Sequence, residues 1–260
     1  MKTQKTIDHI TDWMKDYLKE SQQKGFVIGV SGGIDSAVTS TLCATTGKPT
    51  LCVELPIHQH KSQVSRARKH IEQLESRFAN VSSVKVDLSN TFDTFKANLP
   101  EIESKDVQDF SLANSRARLR MTTLYYFAGI HSYLVAGTGN KVEDFGVGFY
   151  TKYGDGGVDL SPLADLMKSE VFEIAKDLSV INEIQEAEPT DGLFGDSRTD
   201  EDQIGASYDE LEWAMEFDGD QSEITDRQQE VLKIYKKLHS ANQHKMQAIP
   251  VCEIPEEFKD

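Results

Sequence analysis

Apolar residues change their spacing repeatedly along the chain, and the spacing predicts the elements. Ile7, Ile10, Trp13, Met14 and Leu18 fall at helical intervals, which predicts an amphipathic helix over 4–20. The short run Gly25–Val30 follows a break and reads as a buried strand. Residues 35–46 read as a helix stopped by Gly47 and Pro49. The same alternation continues with a strand at 50–55, a polar-faced helix at 60–74 and a strand at 81–88. A long helical pattern over 108–130 carries Leu112, Leu119, Leu124 and Phe127, and a strand at 132–136 ends in Gly137-Thr138-Gly139.

Strands alternating with helices at this spacing predict an α/β fold: a doubly wound, Rossmann-like parallel sheet with helices on both faces. Such sheets bind ligands at the carboxyl ends of their strands. The segments 31–36, 56–60 and 137–143 are therefore the places to look for chemistry. Beyond them, 151–163 is rich in Gly and Asp, and 169–178 reads as a helix. Residues 187–206 are full of breakers and acids, which predicts an irregular loop of the kind that serves as a lid. Extra C-terminal helices are expected at 207–216 and 223–242, with an irregular tail from 246.

Composition narrows the partners. The 260 residues carry 28 Lys and Arg against 43 Asp and Glu, a net charge of −15. That balance argues against nucleic acid as a partner. No apolar run is long enough to cross a bilayer, and the first twenty residues have no secretory h-region, so neither a membrane nor a targeting peptide is expected. Cys43, Cys52 and Cys252 are far apart and odd in number, fitting neither a disulfide framework nor a zinc site; reduced thiols in a cytoplasm are the plain reading.

The segment Val30-Ser-Gly-Gly-Ile-Asp-Ser36 joins the first strand to the second helix. Adjacent glycines permit close backbone approach, and the free N–H groups of a helix start make an anion site. Asp35 repels a phosphate unless a Mg²⁺ bridges the two; as an alternative, it caps the helix. No Lys follows the glycines, so this is not a Walker A loop. It resembles the pyrophosphate-binding loop of the ATP pyrophosphatases, which split ATP into AMP and pyrophosphate.

Within that class the chain resembles the NAD synthetases. The resemblance rests on Phe149-Tyr-Thr-Lys-Tyr-Gly-Asp-Gly-Gly-Val-Asp159, on Gly137-Thr138 with Glu143, on Asn114-Ser-Arg-Ala-Arg-Leu-Arg-Met121, on Pro189-Thr190 and on His244-Lys245. It implies one domain over 1–260, without the glutaminase domain of glutamine-dependent members, and a cytoplasmic homodimer. The implied reaction is amidation of deamido-NAD by ammonia, with ATP as co-substrate and Mg²⁺ as cofactor, through an acyl adenylate. Glu54 departs from the family pattern where many relatives carry Arg, as do Gly139-Asn140 and Met246.

The resemblance also distributes roles. Gly29, Val30, Ser31, Gly32, Gly33, Ile34, Asp35, Ser36, Thr138, Lys168 and Thr190 fall where the family binds ATP. Asp35 and Glu143 suit the metal. Arg118, Lys152, Asp159, His244 and Lys245 fall where it contacts deamido-NAD. Asp155 is the carboxylate placed to bind ammonium and take its proton. Two other readings stay open: a related amidating ligase, and a nucleotide sensor on the same scaffold that needs no metal pair.

Overall fold

The computed structural model describes residues 1–190 and 199–259. Its centre is a parallel sheet of β1 (Gly25–Gly29), β2 (Thr50–Glu54), β3 (Val81–Lys85) and β4 (Tyr133–Val135) in the order β3-β2-β1-β4. Val27 faces Leu51 of β2 on one side and Val135 of β4 on the other, so the strand order reverses at β1. Successive strand residues enter opposite cores. Phe26, Ile28, Cys52 and Leu134 point to one face, and Val27, Leu51, Val53 and Val135 to the other. Burial on both faces explains why these strands are continuous apolar runs rather than alternating ones.

Helices α1 (Thr3–Glu20), α2 (Ile34–Thr45), α3 (Lys61–Arg77) and α6 (Lys168–Asp177) cover the first face. The α1 stripe of Ile7, Ile10, Met14 and Leu18 is buried there, as its spacing predicts. Helix α2 is buried nearly all round, and its own carbonyls accept from Thr41 Oγ1 (Ala37 O, 2.7 Å) and Thr45 Oγ1 (Thr41 O, 2.8 Å), while the buried Thr39 hydroxyl has no partner among the described residues. Helices α4 (Ser89–Ala97) and α5 (Lys105–His131) cover the second face, with Phe92 and Leu112 inside. The expected architecture, α/β with helices on both faces, is the observed one.

A third apolar cluster lies beside the sheet. It joins a π-helical segment, 142–147, to α9 (Tyr208–Glu216) and α10 (Asp226–Met246) through Val142, Val147, Leu211 and Val231. The short α7 (Asn182–Gln185) and α8 (Asp200–Ile204) connect these layers.

Several expectations are corrected. The stretch 89–97, given no element, is α4; Phe92 is its one buried residue, so no stripe announces it. The expected irregular loop 187–206 contains α8, set by reciprocal bonds between Thr199 and Asp202 and ended at Gly205 in the left-handed region. Five residues are too few for a period to show. Of the expected loop, 191–198 lies outside the described residues. The tail includes a 3₁₀ turn at 256–258.

Candidate active site

The crevice where the strand order reverses, at the carboxyl ends of β1 and β4, holds the candidate site, as expected for such sheets. A cavity of about 260 Å³ opens there. Its walls bring together Gly29, Val30, Ser31, Gly33, Ile34, Asp35 and Ser36 with Thr138, Glu143, Asp155, Lys168 and Thr190.

The loop after β1 is braced from within. Ser31 N and Oγ contact Ser36 Oγ at 3.2 and 3.0 Å, Ser36 Oγ donates to Gly33 O at 3.0 Å, and Gly33 N donates to Ser31 Oγ at 3.2 Å. Gly32 is turned away from the cavity with φ +86°, and a Cβ on it would lie 2.5 Å from Gln63 O on α3. Only glycine fits there. Among the described residues no side chain caps the α2 N-terminus at Gly33, which leaves its first N–H groups available to an anion. Asp35 does not cap it either; its carboxylate reaches across the crevice.

That carboxylate belongs to a charged cluster. Lys168 Nζ donates to Asp35 Oδ2 at 2.6 Å and to Glu143 Oε1 at 3.1 Å. The lysine is 2% exposed. Burial alone would depress its ammonium, but the two carboxylates override burial and hold it well above the usual lysine value. Its Nζ also lies 4.6 Å from the centre of the Tyr208 ring. Tyr208 in turn donates to Glu143 Oε1 at 2.6 Å, and burial followed by Glu143 and Asp200 pushes its phenol far up. Asp35 and Glu143 thus converge on one cation. They are a two-carboxylate set, and among the described residues no cluster of three metal-ligating side chains occurs. Few carboxylates plus phosphate oxygens is the donor set Mg²⁺ takes, so these residues fit it.

Sequence reasoning missed the strut behind this cluster. Asn140, fully buried, donates from Nδ2 to Asp35 Oδ1 at 3.0 Å and accepts from the backbone N–H of Val142 and Glu143, each at 3.1 Å. It fixes both carboxylate carriers at once. Tyr208 and the buried Asp200, which also lines the cavity, were missed too. Asn140 reaches Asp35 across 105 residues and Tyr208 reaches Glu143 across 65, and nothing local in the sequence signals either pairing.

The five residues assigned to deamido-NAD lie beyond this cavity and gather around 148–159. Arg118 Nε and Nη2 donate to Lys152 O at 3.3 and 3.2 Å, and Lys152 Nζ donates to His244 O. Lys245 Nζ donates to Gly148 O and Tyr150 O at 2.6 and 2.8 Å, and burial lowers its ammonium. Asp159 accepts from Val135 N at 2.8 Å and from Tyr125 at 3.0 Å, which ties the segment to β4 and α5. Lys245 and Asp155 line a second, smaller cavity with Asp144, whose carboxyl is pushed up to about 7 by burial and by the negative charges of Glu143, Asp155 and Asp35. Asp155 lines both cavities, and its carboxylate accepts from Thr151 N at 3.0 Å.

The family model for NAD synthase matches residues 6–249. The NH₃-dependent NAD⁺ synthetase of Mesoplasma florum is 35% identical over 261 aligned positions, covering 100% of this chain and 99% of that one. Two solved structures are similar throughout. The NMN synthetase of Francisella tularensis superposes with a TM-score of 0.84 at 31% identity, covering 98% of this chain and 99% of its own. The NH₃-dependent NAD synthetase of Campylobacter jejuni superposes with a TM-score of 0.77 at 27% identity, over 97% of this chain and all of its own.

Proposed function

The chain belongs to the NAD synthase family, and on that premise we propose that it is a ligase that amidates deamido-NAD with ammonia at the expense of ATP, releasing NAD, AMP and pyrophosphate. The observation that carries the reading is the meeting of an uncapped helix start with two carboxylates and a buried lysine in one crevice.

Each group has work in that reaction. A carboxylate does not condense with ammonia unaided, because its oxygen is a poor leaving group. The nicotinate oxygen attacks the α-phosphorus of ATP, the bond to the β-phosphate oxygen breaks, and pyrophosphate leaves. The braced loop and the α2 N-terminus hold the departing pyrophosphate with preorganised N–H donors. Lys168 stays protonated and places a fixed positive charge beside the phosphates. Asp35 and Glu143 would hold a Mg²⁺, whose chemistry there would be neutralisation of phosphate charge. Asp155 takes a proton from ammonium; the ammonia so formed attacks the acyl carbon, AMP leaves, and the nitrogen gives up its surplus proton to solvent to become the amide. Arg118, Lys152, Asp159, His244 and Lys245 position the nicotinate dinucleotide outside the ATP cavity.

A homodimer completes this reading. Helix α5 leaves Tyr126 and Ile130, one turn apart, more than half exposed, an apolar surface that a second copy would cover. The setting is cytoplasmic, in keeping with the unpaired thiols of Cys43 and Cys52 inside the fold. Among the described residues no helix is long and apolar enough to cross a membrane. The net charge of −15 argues against nucleic acid as a partner.

A second reading is a nicotinate mononucleotide acceptor, favoured by the higher TM-score of the Francisella NMN synthetase, 0.84 against 0.77. One experiment separates the two. The protein is incubated with ATP, Mg²⁺ and ammonium plus either deamido-NAD or nicotinate mononucleotide, and the nucleotides are resolved by chromatography. NAD formed in step with AMP and pyrophosphate is the expected result. NMN formed in preference would transfer the assignment to the mononucleotide. No amide from either would remove the ligase reading.

A further inference from the structure

Between the end of β2 and α3, the main cavity is walled by Leu55, Val64 and Ala67. Glu54 stands among these apolar residues, and Arg120, which donates to Leu55 O at 3.1 Å and to Gln59 Oε1 at 2.8 Å, lines the same cavity. Glu54, the last residue of β2, lines the cavity and is 3% exposed. Strand alternation puts its side chain on the same sheet face as Cys52, toward α3. The contact its carboxylate makes there is long, 3.5 Å to Arg68 Nη1, and Arg68 is itself half exposed with its Nε held by Glu72 at 2.9 Å. A buried carboxylate requires hydrogen-bond donors, and a single distant guanidinium leaves most of its acceptor capacity unused. A ligand that brings an N–H or O–H to this end of the cavity would find an acceptor in that carboxylate.

The occupant's orientation follows from the opposite end. Phosphates belong at the braced loop and the α2 N-terminus, so a nucleoside triphosphate anchored there must lay its base one ribose further along the same cavity. The side toward 148–159 is given to the acceptor substrate, which leaves the β2–α3 wall for the base. The flat faces of a purine suit Leu55, Val64 and Ala67. The purine edges differ in polarity: a 6-aminopurine presents a donor at position 6, and a 6-oxopurine presents an acceptor.

We propose that Glu54 is the residue that selects the base of the triphosphate, accepting a hydrogen bond from the exocyclic amine of a 6-aminopurine and repelling the oxygen of a 6-oxopurine. The proposal rests on the ATP-dependent reading above and adds to it the residue that recognises the base.

The test is calorimetric binding of ATP, inosine triphosphate and 2′-deoxy-ATP, with Mg²⁺ and without acceptor or ammonium, so that it does not depend on turnover. Native protein is expected to favour ATP over inosine triphosphate by about tenfold or more, the scale of a hydrogen bond to a charged group. Glu54→Gln, of the same shape, is expected to bring the two nucleotides close to parity, because an amide can also donate to the 6-oxygen. Arg68→Ala is expected to keep the native preference. The proposal is overturned if Glu54→Gln retains the native ratio. It is equally overturned if that variant loses discrimination against 2′-deoxy-ATP instead, which would put the carboxylate on the ribose, or if Arg68→Ala collapses the ratio as fully, which would make the ion pair a structural prop. Native protein that binds none of the three would remove the ATP reading itself, whereas ATP binding with an unaltered ratio removes Glu54 alone.

Discussion

Asp35 carries a heavier load than its place in the first turn of α2 suggests. Its two oxygens are held separately, one by Asn140 and one by Lys168, so its position is fixed before any ligand arrives. Asp35→Asn keeps the shape and removes the charge. The expected outcome is a fall in kcat on the order of 10²-fold or more with an unchanged circular dichroism spectrum. A variant as active as the native protein would detach Asp35 from catalysis. His70 offers a different residue-scale prediction. It is fully buried on α3, its Nε2 is 2.9 Å from Ser40 Oγ, its Nδ1 has no partner, and burial lowers its pKa to about 4. The unfolded chain binds this proton near pH 6.5, the folded chain only near 4. The stability it contributes is therefore complete above 6.5 and is lost as pH falls from 6.5 to 4, by up to about 3 kcal/mol. Urea midpoints at pH 7 and pH 5 measure the fall, and it should shrink in His70→Gln. An equal fall in both proteins would assign the acid sensitivity elsewhere.

Among the elements, those that proved legible are the ones whose burial repeats. The β1 and β2 runs are apolar on both faces, and the α1 stripe keeps one spacing throughout, so local sequence suffices. Helix α4 and the π-helical segment 142–147 give no such signal. The first buries Phe92 alone, and the second takes its shape from Asn140 and from packing on α9 and α10. The candidate site divides the same way. The glycine loop is local and readable, whereas Tyr208, Asp200 and Asn140 acquire meaning only when distant segments meet. Helix α5 supports a prediction at this scale. Tyr126→Glu places a charge on the exposed apolar surface. Light scattering behind gel filtration should give the mass of two chains for the native protein and of one for the variant. A native mass of one chain would leave α5 without the partner assigned to it.

At the scale of the whole molecule, the candidate site lies across the boundary between two cores. Asp35 rides on α2, within the cluster under the sheet, while Glu143 and Tyr208 belong to segments of the C-terminal cluster. Lys168 begins α6 and joins them. Lys168→Met leaves two carboxylates facing each other with no cation between them. Removing one member of a buried ionic cluster costs about 3–5 kcal/mol, and that loss is expected in chemical unfolding of the variant. A stability within about 0.5 kcal/mol of native would show that the cluster relaxes freely.

The position of that ammonium has a mechanical consequence. It is a rivet through a seam, and the seam divides the two plates on either side of the crevice. With the rivet in place, the two plates keep one spacing before any ligand arrives. A chain without it would have to be drawn shut by its own substrate on each turnover, and part of the nucleotide's affinity would go into that work.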